Sequence, residues 1–270
     1  MRRDGLVFDV TTAGPAGGEP VVLLHGFPQS ARCWDAVTPV LAGAGLRTFA
    51  PDQRGYSPGA RPAGRAAYRM AEVVADAEAV VRLVDERHLA RAREARTAFE
   101  ETVRPGERDA IARHRAEVGE VLAAASALVV AGGHVGVLLH LLRLFAVPAP
   151  AVLVAWSAGA MALTERVLLF HDPDPRDPGP RDAAPRDPSH AEFLDGGLGW
   201  LRGCVLLPHA RRRLRTDDPR RMAELAFRAA PARCVILDDG VRLDLGAGDV
   251  LPADARIVRS DGVIGDGVTA

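Results

Sequence analysis

Lysine is missing from this chain: all 34 basic side chains other than histidine are arginine. A Schiff base and an amine nucleophile are thereby excluded. So is a P-loop nucleotide site, which needs a lysine, and no G-x-G-x-x-G run offers a dinucleotide site instead. Cysteine is scarce. Cys33, Cys204 and Cys234 stand far apart with no CxxC pairing, so neither a disulfide framework nor a thiolate zinc site is expected, and a reducing cytoplasm is the natural compartment. No sign of charge dominates, since 34 basic residues meet 35 acidic ones for a net charge of -1. That balance provides no global field toward nucleic acid or an anionic membrane. A long apolar run is lacking too. The most apolar stretch, Val121 to Leu142, is interrupted by Gly132 and Gly133 and carries His134 and His140, which points to a buried strand and helix rather than a membrane span. The opening MRRDGLVFDV has two arginines but no apolar segment behind them, unlike a secretory signal.

What is present is α/β alternation. Val21 to Leu24 and Leu46 to Ala50 read as strands. Met70, Val73, Val74, Ala77, Val80, Val81 and Val84 follow helical spacing over Tyr68 to Val84. From Glu86 to Glu120 the chain turns rich in Arg, Glu and Ala around Pro105-Gly106, which predicts two exposed helices joined by a turn. Alternation resumes with a strand at Ala127 to Ala131, a Gly132-Gly133 turn, a helix from about Val135 to Phe145 and a strand at Ala151 to Ala155. Asp172 to Ser189, DPDPRDPGPRDAAPRDPS, repeats proline units that hold neither helix nor ladder and predicts a mobile surface loop. Strands are expected at Cys234 to Leu237, at Val241 to Leu245 and near Ile257. The predicted organisation is therefore an N-terminal segment over 1–85, a helical connector over 86–126 and a second α/β part over 127–270 with its loop at 172–189.

The chemistry-bearing feature is AVLVAWSAGAMAL. A sharp strand-to-helix turn exposes a serine hydroxyl beside backbone N–H groups, and small residues at Ala155, Ala158, Gly159 and Ala160 permit that turn around Ser157. Ala155 occupies the position of the first glycine in G-x-S-x-G. The plainer reading makes Ser157 a helix N-cap. His209, at the end of the apolar run LRGCVLLPH, is the candidate general base, with His25 and His134 as alternatives. For the orienting acid the candidates are Asp172, Glu192, Asp195, Asp238 and Asp239. The N–H groups of Gly133 and Ala158 are candidate oxyanion donors. In the cluster Arg211, Arg212, Arg213 and Arg215, the guanidinium groups of Arg211 and Arg213 suit a substrate carboxylate, against a plain solvated face. A metal site from His171, Asp172 and His190 would rest on a proline-rich loop that fixes no geometry, so neither metal nor cofactor is expected.

Two family resemblances follow. From Ala127 onward, VVAGGHVGVLLHLL, AWSAGAMAL and GLGWLRGCVLLPHARRRLR resemble, in that order, the Gly-Gly turn, serine elbow and histidine segment of the peptidase E and cyanophycinase group. The resemblance implies a class I glutamine amidotransferase-like (flavodoxin-like) fold with a mostly parallel sheet flanked by helices. It matches Ser157 to the nucleophile, His209 to the base and Gly133 with Ala158 to the oxyanion donors. Asp172 matches the acid of the peptidase E branch, and LDDG places Asp239 near the glutamate of the cyanophycinase branch. The activity it implies is serine-type cleavage of aspartyl peptides. The first 85 residues differ: VVLLHGFPQSARCWDAVTPVLAGAGLRTFAPDQRGYS resembles the start of an α/β-hydrolase of the epoxide hydrolase type, and the pattern stops near Asp85, before that family's own elbow. In that family the His25-Gly26-Phe27 loop helps bind the oxyanion. Three functions are thus expected in competition: a peptidase E-like serine hydrolase acting on small peptides, an α/β-hydrolase-type esterase with a hybrid site, and an inactive fusion or scaffold. Edge strands left by truncation suggest a homodimer.

Overall fold

A computed structural model describes residues 1–170, 191–245 and 250–267. The chain divides into two compact units, Met1–Arg87 and His88–Ala270.

The first unit opens with a small antiparallel hairpin, β1 (Arg2–Arg3) and β2 (Leu6–Val7), which turns through Asp4 and Gly5, both at positive φ. A three-stranded sheet follows from β3 (Val10–Ala13), β4 (Pro20–Val22) and β5 (Arg47–Pro51), in the order β3-β5-β4. β5 is central, antiparallel to β3 and parallel to β4, so its Thr48, Phe49 and Ala50 are buried. The parallel pair requires a crossover, and α1 (Thr38–Gly43) lies on it. Leu23, Ala31 and Ala50, with Val21, Trp34 and Leu41 against them, form the apolar cluster of this unit. Asp76 is also buried here and receives Arg54 through two bonds, Nε to Oδ2 at 2.7 Å and Nη2 to Oδ1 at 2.8 Å. The hydrogen bonds it donates to Asp76 hold the Arg54 guanidinium above its ordinary pKa despite burial.

Helix α2 (Met70–Val103) is a single 34-residue helix. Sequence spacing predicts a break after Val84; instead the Arg, Glu and Ala residues beyond it are strong helix formers and carry the helix on until Pro105. Its first turns belong to the first unit and the rest, from His88, to the second.

The second unit continues through α3 (Asp109–Ala124), β6 (Leu128–Val130), α4 (Val135–Leu144), β7 (Leu153–Ala155), α5 (Ala158–Ala162), β8 (Arg166–Phe170) and β9 (Ala191–Gly196). It ends with β10 (Cys204–Pro208), α6 (Ala210–Arg213), α7 (Pro219–Ala229), β11 (Arg233–Leu237), β12 (Arg256–Val258) and β13 (Ile264–Asp266). Two parallel pairs, β6 with β7 and β10 with β11, carry the residues of interest. Val205, Leu207, Cys234 and Ile236 face one apolar cluster, and Cys204, Leu206 and Val235 face another. The strict alternation shows both faces of β10 and β11 covered, as parallel strands require. Burial pushes the Cys234 thiol up to about 12, so it stays protonated and inert.

The expected mostly parallel sheet is not what forms among the described residues. Five separate sheets are present, and antiparallel pairs outnumber parallel ones, because β8–β9, β11–β12 and β12–β13 pair with sequence neighbours. Val241 to Leu245 is not a strand: β11 is flanked by β10 and β12 and has no free edge to offer it. The proline-rich stretch 172–189 lies outside the described residues. Among those described, no helix is long and apolar enough to cross a membrane.

Candidate active site

Parallel pairing brings the chemical groups together. In the β6–β7 register Val130 faces Ala155, so the next residues, Gly132 and Ser157, leave the same edge side by side. A Cβ on Gly132 would stand 3.0 Å from Ser157 Cβ and 3.2 Å from Ser157 Oγ, so a side chain there would crowd the hydroxyl. Ser157 itself has φ 52° and ψ -127°, a region that costs an L-residue roughly 1–3 kcal/mol and recurs where a strained turn presents a nucleophile. It makes no side-chain capping bond to α5, which sets aside the N-cap reading. A side chain on Gly159 would run into the carbonyl groups of Val130 and Ala131, so this glycine lets α5 start directly against β6. Ala158 is the first residue of that helix, and its N–H therefore has no intrahelical acceptor. Gly133, at φ 131°, adopts a conformation that favours glycine.

The second parallel pair works in the same way. Pro208 faces Leu237 across β10 and β11, and the His209 N–H donates to the Leu237 carbonyl at 3.1 Å. The chain leaves both strands there. His209 turns through the left-handed region at φ 54°, and its Nδ1 meets Asp239 Oδ1 at 2.7 Å. That bond assigns Nδ1 to Asp239 and leaves Nε2 for a proton acceptor's role. Ala158 of the elbow and Leu207 and Ala210 around the histidine share one apolar cluster, which ties the two strand edges together. Ser157, His209, Asp238 and Asp239 all line one cavity of about 1020 Å³. Among the described residues no hydrogen bond links Ser157 Oγ to His209.

The other sequence candidates lie elsewhere or have other partners. Asp238 accepts from the Arg211 N–H at 3.0 Å and pairs with its Nε at 3.3 Å, so it anchors the start of α6. Asp195 pairs with Arg96 at 2.6 Å and Arg143 at 2.8 Å; burial pushes its carboxyl up, but the hydrogen bonds from both arginines outweigh that and hold it below the usual range. Glu192 lies on β9 and does not line the cavity, and Asp172 lies outside the described residues. His134 caps α4 by accepting from the Val137 N–H. His25, in the first unit, is buried and accepts at Nε2 from the Gln53 N–H at 3.0 Å. The arginines expected to bind substrate do not line the cavity: Arg211 is taken by Asp238, and Arg213 lies over the Phe170 ring, 5.2 Å from its centroid. The arginine that does line it, Arg242, went unnoticed in sequence because it falls in a run that reads as a strand; so did Trp156 and Trp200. His171 and His190 lie outside the described residues, and among those described no group of His, Cys, Asp and Glu is placed to hold a metal ion.

Comparison with known proteins identifies the family. Residues 21–264 match the model of the alpha/beta hydrolase family. The chain belongs to that family. Epoxide hydrolase A of Mycobacterium tuberculosis is 42% identical over 73 residues, covering 27% of this chain and 23% of the relative. The AB hydrolase superfamily protein YfhM of Bacillus subtilis is 40% identical over 70 residues, covering 26% and 24%. Among solved structures, epoxide hydrolase A of Mycobacterium thermoresistibile is 36% identical with a TM-score of 0.29, covering 32% of this chain and 26% of that one. The chain thus spans about a quarter of the length of these relatives. These findings support the α/β-hydrolase resemblance and lend none to the peptidase E or glutamine amidotransferase-like one.

Proposed function

We propose that this alpha/beta hydrolase is a serine-dependent acyl hydrolase, an esterase in its main activity, with Ser157 as nucleophile, His209 as general base and Asp239 as the acid that orients it. The observation that carries this is the coincidence of the strained Ser157 elbow and the 2.7 Å His209–Asp239 pair on one cavity. In the acylation step Ser157 Oγ attacks the ester carbonyl carbon while its proton passes to His209 Nε2. The C–O bond to the alcohol then breaks and the alcohol leaves with that proton. Water repeats the sequence on the acyl-serine and returns the acid product. In this reading the Ala158 and Gly133 N–H groups, beside the elbow, receive the carbonyl oxygen as it gains charge.

The acid follows the base in the chain, so the order here is nucleophile, base, acid, whereas the hydrolase elbow is usually followed by acid and then base. Roles are set by geometry rather than by order. The names of the epoxide hydrolase relatives raise a second chemistry. Serine attack on an epoxide would leave a dialkyl ether that water does not cleave, whereas an acyl-serine is readily hydrolysed, so the elbow favours acyl transfer. An epoxide reaction here would need water activated directly by His209. Aspartyl peptides become a weaker candidate substrate, because neither Arg211 nor Arg213 faces the cavity.

The test is hydrolysis of p-nitrophenyl butyrate, an aspartyl anilide and styrene oxide by the chain and its Ser157→Ala variant. Serine-dependent ester cleavage is expected. Styrene oxide opening that survives the substitution, with no ester cleavage, would replace the proposal with water activation, and anilide cleavage alone would restore the peptidase reading.

A further inference from the structure

The cavity that holds Ser157 has two unlike walls. One is apolar and continuous with a packed cluster: Leu163, Leu201 and Leu206 are buried, and Trp200, Leu153 and Leu243 lean on them while facing the cavity. The other is a charged rim formed by the turn after β11 and the segment that follows it. At that rim, among the described residues, each arginine and the histidine already has a carboxylate partner. Arg242 holds Asp244 at 2.8 Å, Asp238 holds Arg211, and Asp239 holds His209. With the histidine neutral, as a general base must be, Asp239 leaves one negative charge in excess beside the reacting position.

We infer that the site selects uncharged substrates with an apolar acyl chain and rejects those bearing a carboxylate on that chain. The inference rests on the esterase reading and defines its substrate class. An apolar chain seated against Trp200, Leu163 and Leu201 removes its methylenes from water, a gain of about fourfold in affinity per methylene. A carboxylate in the same place meets only apolar surface on one side and an excess negative charge on the other. Among the described residues it finds no unpaired guanidinium at the rim, since Arg242 is tied to Asp244.

Ligand binding separates this inference from the hydrolysis it rests on. In the Ser157→Ala chain, Trp156 and Trp200 line the cavity and report occupancy by intrinsic fluorescence. The probes are methyl hexanoate and monomethyl adipate, which differ by a terminal methyl against a carboxylate. Methyl hexanoate is expected to bind about tenfold or more tightly than monomethyl adipate at low salt, with a ratio that narrows as salt rises. Asp244→Asn releases Arg242 and is expected to raise adipate affinity about tenfold while leaving methyl hexanoate unchanged. Since Arg242 and Asp244 are both exposed, this variant keeps its fold. Equal binding of the two probes, tighter binding of the adipate, or no saturable signal from either in a folded chain would overturn the inference. The expected preference without any serine-dependent ester cleavage would overturn the esterase proposal and leave only the cavity's preference for uncharged, apolar ligands standing.

Discussion

At the scale of single residues, the proposed chemistry depends on one strained serine turn and one histidine–carboxylate pair, Ser157 and His209 with Asp239. Ser157 stands in a run of small residues that only a tight turn explains, and the turn is there at φ 52°. The choice among five acids depends on which strand ends meet, and that is decided by the parallel register of β10 and β11, which no local pattern encodes. Two substitutions test these roles. Asp239→Asn should lower kcat about a hundredfold with little change in melting temperature, because the amide favours the wrong imidazole tautomer while the exposed side chain contributes little packing. Steady-state kinetics beside thermal melting checks this; unchanged kcat would remove Asp239 from the site. Gly132→Ala should reduce kcat by tenfold or more, since the new methyl stands 3.2 Å from Ser157 Oγ and forces the hydroxyl from its place.

At the scale of elements, periodicity located most helices and strands to within a few residues, and it failed where pairing partners decide. α2 runs past its predicted end because no residue stops it, and Val241 to Leu245 has strand-like alternation but no edge to join. Asp195 shows how a residue that sequence offers to catalysis can serve structure: it joins β9 to α2 and α4 through Arg96 and Arg143. Asp195→Asn should destabilise the second unit by about 1–3 kcal/mol at pH 7, the loss typical of hydrogen bonds to a charged group. Its carboxyl is held below the ordinary carboxylate range in the folded chain. The stabilisation is therefore present above the unfolded-state pKa and is lost as pH falls through the folded value. The melting-temperature gap between wild type and variant should accordingly close between about pH 5 and pH 2; a gap independent of pH would mean that the pairing does not carry the stability. Gly159→Ala should cost a comparable amount at any pH, because its methyl collides with backbone carbonyls that cannot rotate away.

At the scale of the whole molecule, the family was legible from a short N-terminal motif, while the groups proposed for catalysis all lie in the second unit. The charge balance was legible from composition alone, and the structure supplies its local form. Arginines are matched to carboxylates along the chain: Arg3 and Arg54 to Asp76, Arg96 and Arg143 to Asp195, Arg211 to Asp238, Arg215 to Asp217 and Arg242 to Asp244. Even in the Arg211 to Arg215 run, which looks like a basic patch in sequence, Arg211 goes to Asp238, Arg213 to the Phe170 ring and Arg215 to Asp217. A polyanion gains affinity by releasing counterions to arginines that are free to replace them, and each pair already formed removes one such partner. The chain should therefore elute from immobilised heparin below about 0.15 M salt, with no sequence or length preference for DNA. Charge reversal at one site makes this prediction exacting: Asp217→Arg would remove the carboxylate that pairs with Arg215 and add a cation beside it, and should delay elution. Retention of the unaltered chain beyond about 0.3 M salt would show a basic surface that these pairings do not neutralise.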